Sequence, residues 1–397
     1  AGFMALEFEQ TQLEQRTGIT RYTQGLDSRS LNKMLDIQTP ICMADGSWKR
    51  LEDICDGDRI LGRDGQATTV LRAHEIQYPK KAYKLTFASG DEIVAGGEHL
   101  WTIQTAWDKE KGTWRTVDTD TIYQMDSRLK KRGTISVPRV QRPEFDGAGN
   151  LPIDPYVLGL WLGNGSSYDP VITLRDDDVI ESLREWARSS GGDIKEYFDP
   201  RLPKSKNFYV SVPGLYSTLR SLGLMKTRGE SDGACKHIPE IYKCAKYAER
   251  LELLRGLMDT DGSFDSGSTV VFSQSEGPLL WDVVDLIHSL GGWVTPHKVT
   301  AESNFNRTKD FYLLRFRVFD NPFKADRKAS QWSPPAVETD RQAIRSIEPV
   351  EICKMRCLTV DAKDGLFCVG KIFTITHNTA TGITAIMGAS QQRIELI

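Results

Sequence analysis

Two apolar segments that end in the same kind of turn recur in this chain about 100 residues apart, and this duplication restricts the folds open to it. They are VLGLWLGNG, Val157 to Gly165, and LRGLMDTDG, Leu254 to Gly262. Each is followed by a strand-like stretch, an amphipathic helix that stops at a Gly-Gly pair, and another strand. The pattern predicts two similar halves about a pseudo-two-fold axis, with the apolar segments packed together at that axis. Two unrelated core helices are the alternative.

The later elements of the two halves also correspond. They are predicted as a helix over Asp178 to Ser189 with a strand over Phe208 to Val212, and a helix over Leu279 to Leu290 with a strand over Phe311 to Phe319. Arg315 and Arg317 alternate along the last strand and therefore share one face. They are candidates for contacts with phosphates or base edges, and a solvated strand face is the alternative.

The stretches on either side of the duplicated region have the pattern of a β domain. Asp64-Gly65 is a hairpin-type turn signal, and Lys81 to Val94 predicts a hairpin with Tyr83, Leu85 and Phe87 on one face. After a polar linker, Lys324 to Gln342, the β character resumes and continues to His377. The sequence thus predicts one β domain interrupted by the duplicated domain.

Composition excludes several classes of protein. The formal net charge of −3 gives no overall signal for nucleic acid, so any DNA contact depends on local charge. The first residues, AGFMALEFEQ, lack the features of a secretory signal, and no apolar run approaches the roughly 20 residues of a membrane-spanning helix. Seven cysteines without a CxxC pair argue against a disulfide framework and favour a reducing compartment.

The triplet His377-Asn378-Thr379 can cut its own backbone. The side-chain amide nitrogen of Asn378 attacks its own carbonyl carbon, a succinimide closes, and the bond to Thr379 breaks. A single triplet of this kind also occurs by chance, so its meaning depends on the other motifs of the chain.

Taken together, the motifs resemble an intein, a self-splicing domain, interrupted by a LAGLIDADG homing endonuclease. The resemblance covers Met34 to Asn378 and rests on Thr39 to Asp58, the block at His99, the two LAGLIDADG-type segments, Cys357 to Phe367, and His377-Asn378. It implies an α+β fold, in which an all-β Hint (hedgehog/intein) horseshoe carries an inserted pseudo-two-fold αββαββα endonuclease domain. The implied domains are an N-extein segment (1–33), the two parts of the splicing domain (34–145 and 336–378), the endonuclease (146–335) and a C-extein segment (379–397).

The junction residue Met34 departs from most inteins, which begin with Cys or Ser. However, Trp101 stands two residues after His99, Cys357 occupies the late block, and Thr376 precedes His377. This Trp-Cys-Thr set resembles class 3 inteins, which need no N-terminal nucleophile. The resemblance implies that Cys357 attacks the Lys33 carbonyl, forms a branched thioester, and passes the N-terminal segment to Thr379.

The resemblance also implies a role for each remaining residue of the splicing site. Asn378 cyclises, and an acyl shift then completes the Lys33–Thr379 peptide bond. His99 protonates the departing Met34 nitrogen, and His377 assists Asn378. Trp101 orients the site and Thr376 is a hydrogen-bond partner near the thiol, although a core residue and a turn residue are the alternatives for these two. Gly96 replaces the Thr that the family usually has three residues before the histidine.

The resemblance implies that an endonuclease of this type holds divalent cations, here Mg²⁺, between one carboxylate from each apolar segment. The second segment supplies Asp261 as the metal ligand, but the first has Asn164 at the matching position. An amide oxygen carries no charge, so we expect weakened cation binding and crippled or absent double-strand cleavage. The splicing reaction itself needs no cofactor.

The flanks, residues 1–33 and 379–397, resemble a segment of a tailed-phage portal protein. The implied partners are double-stranded DNA of the intein-free host gene and the chain's own flanks as substrate, without a membrane, and the molecule is expected to be a monomer. It is expected in the cytoplasm of the infected bacterium, with the host protein in the virion after splicing. The alternatives are a DNA endonuclease whose splicing domain is inert because of Met34, and a structural phage protein with an inactive insertion.

Overall fold

The computed structural model describes residues 33–129, 135–147, 149–197, 206–226, 236–266, 268–302, 308–335 and 340–377. The described chain forms two compact units. The first contains residues 33–44, 48–139 and 341–377, and the second contains residues 45–47 and 140–340. The fold mixes helices with antiparallel sheets. No helix in the described part of the chain is long and apolar enough to span a membrane.

The first unit is mainly β structure. Its strands before the second unit are β1 (Leu35–Asp36), β2 (Pro40–Cys42), β3 (Trp48–Arg50), β4 (Arg59–Leu61), β5 (Ala67–Ala73), β6 (Ala82–Phe87), β7 (Glu92–Gly96), β8 (Leu100–Ile103), β9 (Arg115–Asp118) and β10 (Ser136–Pro138). A 3₁₀ turn over Leu51–Asp53 and helices α1 (Ala106–Glu110) and α2 (Thr119–Leu129) lie among them.

The second unit carries most of the helices. Its strands are β11 (Val171–Leu174), β12 (Asp193–Tyr197), β13 (Lys206–Ser211), β14 (Gly262–Ser266), β15 (Thr269–Gln274), β16 (Trp293–Glu302) and β17 (Thr308–Arg317). Its helices are α3 (Pro155–Asn164), α4 (Asp177–Ser189), α5 (Leu215–Ser221), α6 (Glu240–Lys243), α7 (Tyr247–Asp261), α8 (Pro278–Ser289) and α9 (Asp326–Ala329). The chain then completes the first unit with β18 (Arg341–Val350), β19 (Met355–Arg356), β20 (Leu358–Val360), β21 (Leu366–Val369) and β22 (Thr374–His377).

A six-stranded sheet organises the first unit, in the order β10-β18-β6-β7-β1-β19. Strands β6 and β7 form the predicted hairpin, and Tyr83, Leu85 and Phe87 are all buried on its inner face, which confirms the alternation seen in the sequence. Strand β18, the first strand after the second unit, pairs with β6 and with β10. The late segment is therefore an integral part of the β unit.

Glycines bring the two apolar helices of the second unit together. The Asp154 carboxylate accepts a hydrogen bond from Val157 N–H and caps α3 at its start. A Cβ at Gly159 would lie 2.3 Å from the Leu253 carbonyl oxygen, and a Cβ at Gly256 would lie 2.2 Å from the Tyr156 carbonyl oxygen. Only glycine allows this approach of α3 to α7, so the predicted packing of the two segments is confirmed.

The two halves of the second unit are similar but unequal. The second half has a four-stranded sheet, β14-β15-β17-β16, whereas the first has three strands, β11-β13-β12. The counterpart of β14 in the first half is reduced to one bridge between Gly165 and Ile172. The predicted linker after the second half also differs from expectation, because it contains α9, in which Lys328 is buried.

Candidate functional site

The strand register brings the predicted nucleophile to the predicted junction. Leu35 pairs with Arg356 and Asp36 pairs with Met355, so the same register continued by one residue sets Cys357 opposite Met34. Both side chains are buried, and they pack in one apolar cluster with Ala82. The thiol of Cys357 therefore lies beside the residue at which the Lys33–Met34 bond begins.

The pKa of Lys33 is affected by its burial and by Cys357. Burial lowers the pKa of its ammonium group, and the Cys357 thiolate opposes that shift. A cavity of about 350 Å³ opens beside Met34, with Lys81, Glu98 and Asp120 in its wall. The junction is thus packed against Cys357 and has open space next to Met34.

Arg356 fixes the strand that carries Cys357. Its guanidinium group donates hydrogen bonds to carbonyl oxygens of two neighbouring segments: those of Leu51, Glu52, Ile54, Ala73 and His74, at 2.5 to 3.4 Å. A planar cation with five N–H donors satisfies several carbonyl groups that would otherwise lack partners. This side chain, which sequence reasoning did not single out, holds the residue before the thiol in place.

Trp101 and Thr119 hold His99 from two sides. The indole N–H of Trp101 donates to Thr119 Oγ1 at 3.1 Å, and that hydroxyl donates to the His99 carbonyl oxygen at 3.1 Å. The rings of His99 and Trp101 meet edge to face, with centroids 5.0 Å apart. Both rings are almost fully buried. Trp101 therefore contacts His99 directly through its ring and indirectly through Thr119, a residue that sequence reasoning did not single out.

The His99 ring also contacts Thr376, which lies just before the second predicted junction. Its Nε2 lies 2.5 Å from the hydroxyl of Thr376, and the strand of Thr376 runs beside β8. Burial lowers the pKa of His99 to about 3, whereas its contact with the Lys33 backbone acts in the opposite direction. Its Nδ1 is buried and has no hydrogen bond of normal geometry among the described residues. The result is a neutral imidazole that lies between the Lys33 backbone and the Thr376 hydroxyl.

His377 lies next to the C-terminal end of the predicted splicing element, residues 34–378. Its Nε2 is 2.8 Å from the Thr102 hydroxyl. Burial lowers its pKa to about 4, and the positive charge of Lys33 contributes in the same direction. His377 therefore lies within electrostatic range of Lys33. Asn378 and Thr379 lie outside the described residues.

Gly96 binds the junction through its backbone. Its N–H donates to the Met34 carbonyl oxygen at 2.9 Å, and the His99 N–H donates to the Gly96 carbonyl oxygen at 3.0 Å. A side-chain hydroxyl at this position is absent, so this loop offers the Lys33 carbonyl group no help from that position.

The second unit presents Asn164 and Asp261 at equivalent places. Each is the last residue of its apolar helix, Asn164 of α3 and Asp261 of α7. Asp259 lies two residues before Asp261. Its carboxylate accepts hydrogen bonds from the Tyr156 hydroxyl and from the backbone N–H groups of Lys324 and Ala325. Asp259 is thus committed to structure, and Asp261 is the acidic group left at the helix ends.

Two lysines, Lys236 partly buried and Lys328 buried, cover the C-terminal ends of these helices. Lys236 Nζ donates to the Trp161 and Gly163 carbonyl oxygens of α3, at 3.2 and 3.0 Å. Lys328 Nζ donates to three carbonyl oxygens at the end of α7, at 2.7 to 2.8 Å. Burial lowers the pKa of each lysine to about 8. Cations at helix C-termini are favoured by the helix dipole.

These groups are a poor fit for Mg²⁺. Burial raises the pKa of Asp261, although Lys236 and Lys328 oppose that shift. One carboxylate, one amide and two nearby ammonium groups offer a divalent cation little negative charge. In the described part of the chain, no three His, Cys, Asp or Glu side chains form a ligand set.

Arg315 and Arg317 lie on the exposed face of β17. The residues between and beside them, Leu314, Phe316 and Val318, are buried, which confirms the alternation. Arg315 pairs with Asp265 at 3.6 Å, and Arg317 Nε donates to Thr269 Oγ1 at 2.9 Å. Both remain open to solvent and are available to an anionic partner.

Known proteins resemble this chain in two respects. The family model of the phage SU10 portal protein matches residues 1–397. The chain is also 28% identical over 380 residues to the replicative DNA helicase DnaB of Mycobacterium intracellulare, a match that covers 91% of this chain and 61% of the helicase. It therefore spans less than two thirds of that relative.

Solved structures with some likeness include inteins and an endonuclease. The MchDnaB-1 intein is 14% identical, with 87% of this chain and 99% of that chain covered and a TM-score of 0.27. The gp41-1 intein is 31% identical over 18% of this chain and 53% of its own, with a TM-score of 0.17. I-DmoI in complex with DNA and Ca is 15% identical over 45% of this chain and 94% of its own, with a TM-score of 0.29. TM-scores this low do not by themselves show a common fold.

Proposed function

The chain belongs to the phage SU10 portal protein family, and from this premise we propose that it is a portal-protein precursor interrupted by a self-splicing element over residues 34–378. Splicing removes that element and joins Lys33 to Thr379. The likeness to a replicative helicase over 91% of the chain supports this proposal. A portal protein and a helicase share no activity, whereas one mobile element can be inserted in both genes.

The observation that carries the proposal is the register that sets Cys357 opposite Met34. The Cys357 sulfur attacks the carbonyl carbon of Lys33, the bond to the Met34 nitrogen breaks, and a branched thioester forms. A free thiol of pKa near 8.5 is only a few per cent thiolate at neutral pH, so the attack needs a nearby base or a lowered pKa. Met34 needs no nucleophilic side chain, because the nucleophile comes from the neighbouring strand.

His99 serves the departing nitrogen. With a pKa of about 3 it is neutral before the reaction starts. The negative charge that develops on the Lys33 oxygen in the tetrahedral intermediate raises the pKa of a buried neighbouring imidazole. His99 can therefore become protonated in the tetrahedral intermediate and then donate that proton to the Met34 nitrogen. Because Nε2 faces Thr376, Nδ1 is the atom available for this transfer, and the ring is in contact with the Lys33 backbone.

The later steps use the other end of the element. The thioester passes the N-terminal segment to the Thr379 hydroxyl, Asn378 cyclises, and an acyl shift leaves the Lys33–Thr379 peptide bond. His377 is neutral and lies within electrostatic range of Lys33, which supports a role at the point where both junctions meet. The joined flanks then belong to the mature portal protein of the virion.

Expression of the full chain followed by a denaturing gel tests the proposal. We expect an excised product of residues 34–378 together with ligated flanks, and a branched species that hydroxylamine cleaves. Cys357→Ala should abolish both the branch and the ligation. Met34→Ala should still splice, since its side chain has no chemical role. Splicing that persists in Cys357→Ala, or stops in Met34→Ala, contradicts this mechanism and favours a different first step.

We further propose that the second unit binds double-stranded DNA but does not cut both strands. The exposed pair Arg315 and Arg317 favours binding. The replacement of one axial carboxylate by Asn164, and the lysines beside Asp261, argue against a Mg²⁺-dependent double-strand cut. The target is expected to be a portal gene that lacks the insertion.

Incubation of the protein with that intein-free gene and Mg²⁺ tests this second proposal. A mobility shift that weakens in Arg315→Ala/Arg317→Ala, without linear product, is expected. Asn164→Asp restores the second carboxylate and should increase cleavage, whereas Asp261→Asn serves as the matched control without any acid. Efficient double-strand cleavage by the wild-type chain would show that the amide suffices and that this reading is wrong.

A further inference from the structure

His74 faces Cys357 from the side opposite to the junction. Leu358 pairs with Ala73, so the register continued by one residue sets Cys357 opposite His74, and the His74 N–H donates to the Cys357 carbonyl oxygen at 3.1 Å. Met34 holds the equivalent position on the other side of Cys357. Residues directly opposite one another in antiparallel strands project to the same face. Three side chains thus form a row, in the order Met34, Cys357, His74.

The His74 ring is held on this face. It is buried, and its Nε2 lies 2.9 Å from the hydroxyl of Thr359. Thr359 is two residues after Cys357 and projects from the same side of the strand. When Nε2 carries the proton and donates to Thr359, Nδ1 is the basic atom, and it is the nitrogen nearer to the backbone that binds Cys357.

We propose that His74 is the base that removes the thiol proton of Cys357, with Thr359 as the residue that positions the ring. This inference rests on the proposed splicing function, because it assigns the base that the first step of that reaction requires. No motif in the sequence marks His74, since it lies far from Cys357 along the chain.

The surroundings of His74 favour its neutral form, which can accept a proton. Burial lowers its pKa, Arg72 and Arg356 act in the same direction, and Asp56 opposes them. The Asp56 carboxylate also accepts a hydrogen bond from Ala73 N–H at 2.6 Å. A base that is unprotonated at neutral pH can accept a proton immediately.

The proton count of the step balances. The Cys357 sulfur loses its proton to His74 and forms a bond to the Lys33 carbonyl carbon. When the bond from that carbon to the Met34 nitrogen breaks, the nitrogen takes up one proton through His99. His74 then holds the thiol proton as an imidazolium and releases it to solvent water, while His99 takes a proton from solvent water as it delivers one to the Met34 nitrogen. One thiol proton is lost and one amine N–H is made, so the step balances with water as the proton carrier.

The rate of thioester formation as a function of pH tests the proposal in the full chain. In the wild type we expect a plateau at neutral pH and a fall on acidification, at a pH below the ordinary histidine value because burial lowers the pKa of His74. Burial lowers the pKa of His99 to about 3 and the pKa of His377 to about 4, so both imidazoles are neutral on the plateau. If the thiol instead ionises without help, the wild-type rate rises tenfold per pH unit up to about pH 8.5, and the proposal fails.

The variant His74→Gln gives the second test. At neutral pH we expect a loss of roughly 10²- to 10⁴-fold, the usual contribution of a general base. The rate should then rise with hydroxide and approach the wild-type rate near pH 9, because the thiol ionises by itself there. A rate that is unchanged, or lower by a constant factor at every pH, overturns the proposal. A damaged fold cannot show this recovery at high pH.

Two controls separate this inference from the function on which it rests. His297→Gln changes an exposed histidine of the second unit and should leave the rate unaltered. Cys357→Ala should abolish the branch. If Cys357→Ala has no effect, the splicing mechanism fails; if only His74→Gln behaves like the wild type, the mechanism stands and His74 has no part in it.

Discussion

Trp101 is tied to its surroundings by one hydrogen bond and one ring contact. Its indole N–H is tied to Thr119 and its ring meets the edge of His99. A buried ring with only two torsions loses little freedom when it is fixed, so it is well suited to fix a neighbour. The His99 imidazole therefore has its ring contact with a residue only two positions further along the chain.

Trp101→Phe should slow thioester formation by up to about 100-fold, because a small misplacement of a catalytic group can cost that much. The phenyl ring keeps most of the packing but cannot donate to Thr119. Quantitation of the branched species with time measures the effect. Trp107→Phe, at an exposed tryptophan, is the matched control and should be neutral. Equal rates for Trp101→Phe and the wild type would remove the orienting role.

At the same scale, sequence reasoning named residues with a marked type and spacing and missed those whose role depends on distant pairing. His99, Trp101 and Thr376 are signalled by their neighbours in the chain, and the structure brings these three together. His74 and Thr119 carry no such signal. Their contacts depend on strand register, which no local pattern specifies.

Helix α7 shows how one position can control the packing of an element. Gly256 has no room for a side chain, since the Tyr156 carbonyl oxygen would lie 2.2 Å from its Cβ. The apolar residues around it are buried on nearly every side, which is why the segment could be recognised as a core helix from its sequence.

Gly256→Ala should destabilise the protein by roughly 1–3 kcal/mol or more, because α3 and α7 must move apart to admit the methyl group. The midpoint of urea unfolding, followed by tryptophan fluorescence, measures this change. Gly277→Ala is the control: the backbone there is extended, and a Cβ meets nothing within 4 Å. Similar midpoints for both variants would mean that the helices tolerate separation.

The elements that could be predicted are those with a strong period. The hairpin of β6 and β7 and the helices α4 and α8 follow from alternation and helical spacing, with ends displaced by a residue or so. The short helix α9 was not predicted, because four residues are too few to show a helical repeat of apolar positions. Its buried Lys328 is equally unexpected, as lysine is rarely buried without several partners.

For the molecule as a whole, acid should weaken the fold through His99 and His377. Both have folded-state pKa values, about 3 and about 4, below the ordinary 6.5. Below pH 6.5 the unfolded chain binds protons that the folded chain does not, so stability falls as pH falls. The loss is about 1.4 kcal/mol per pH unit for each histidine until its folded pKa is reached.

Urea unfolding at a series of pH values checks this expectation. His377→Gln should flatten the dependence between about pH 4 and 6.5, since one of the two groups is gone. His297→Gln, at an exposed site, should leave the slope as it is. An identical slope for His377→Gln and the wild type would contradict the assignment.

The pairing of β10 with β18 allows the segment between these strands to be inserted or deleted as one piece. Pro138 pairs with Arg341, so the chain leaves the β unit and returns to it on neighbouring strands. A tight turn of a few residues spans such a gap, whatever lies between the two ends. The roughly 200 residues between them can therefore be lost in one deletion, or acquired in one insertion, without cutting a strand. The second unit can thus be lost in evolution while the first unit keeps every residue that the proposed splicing reaction uses.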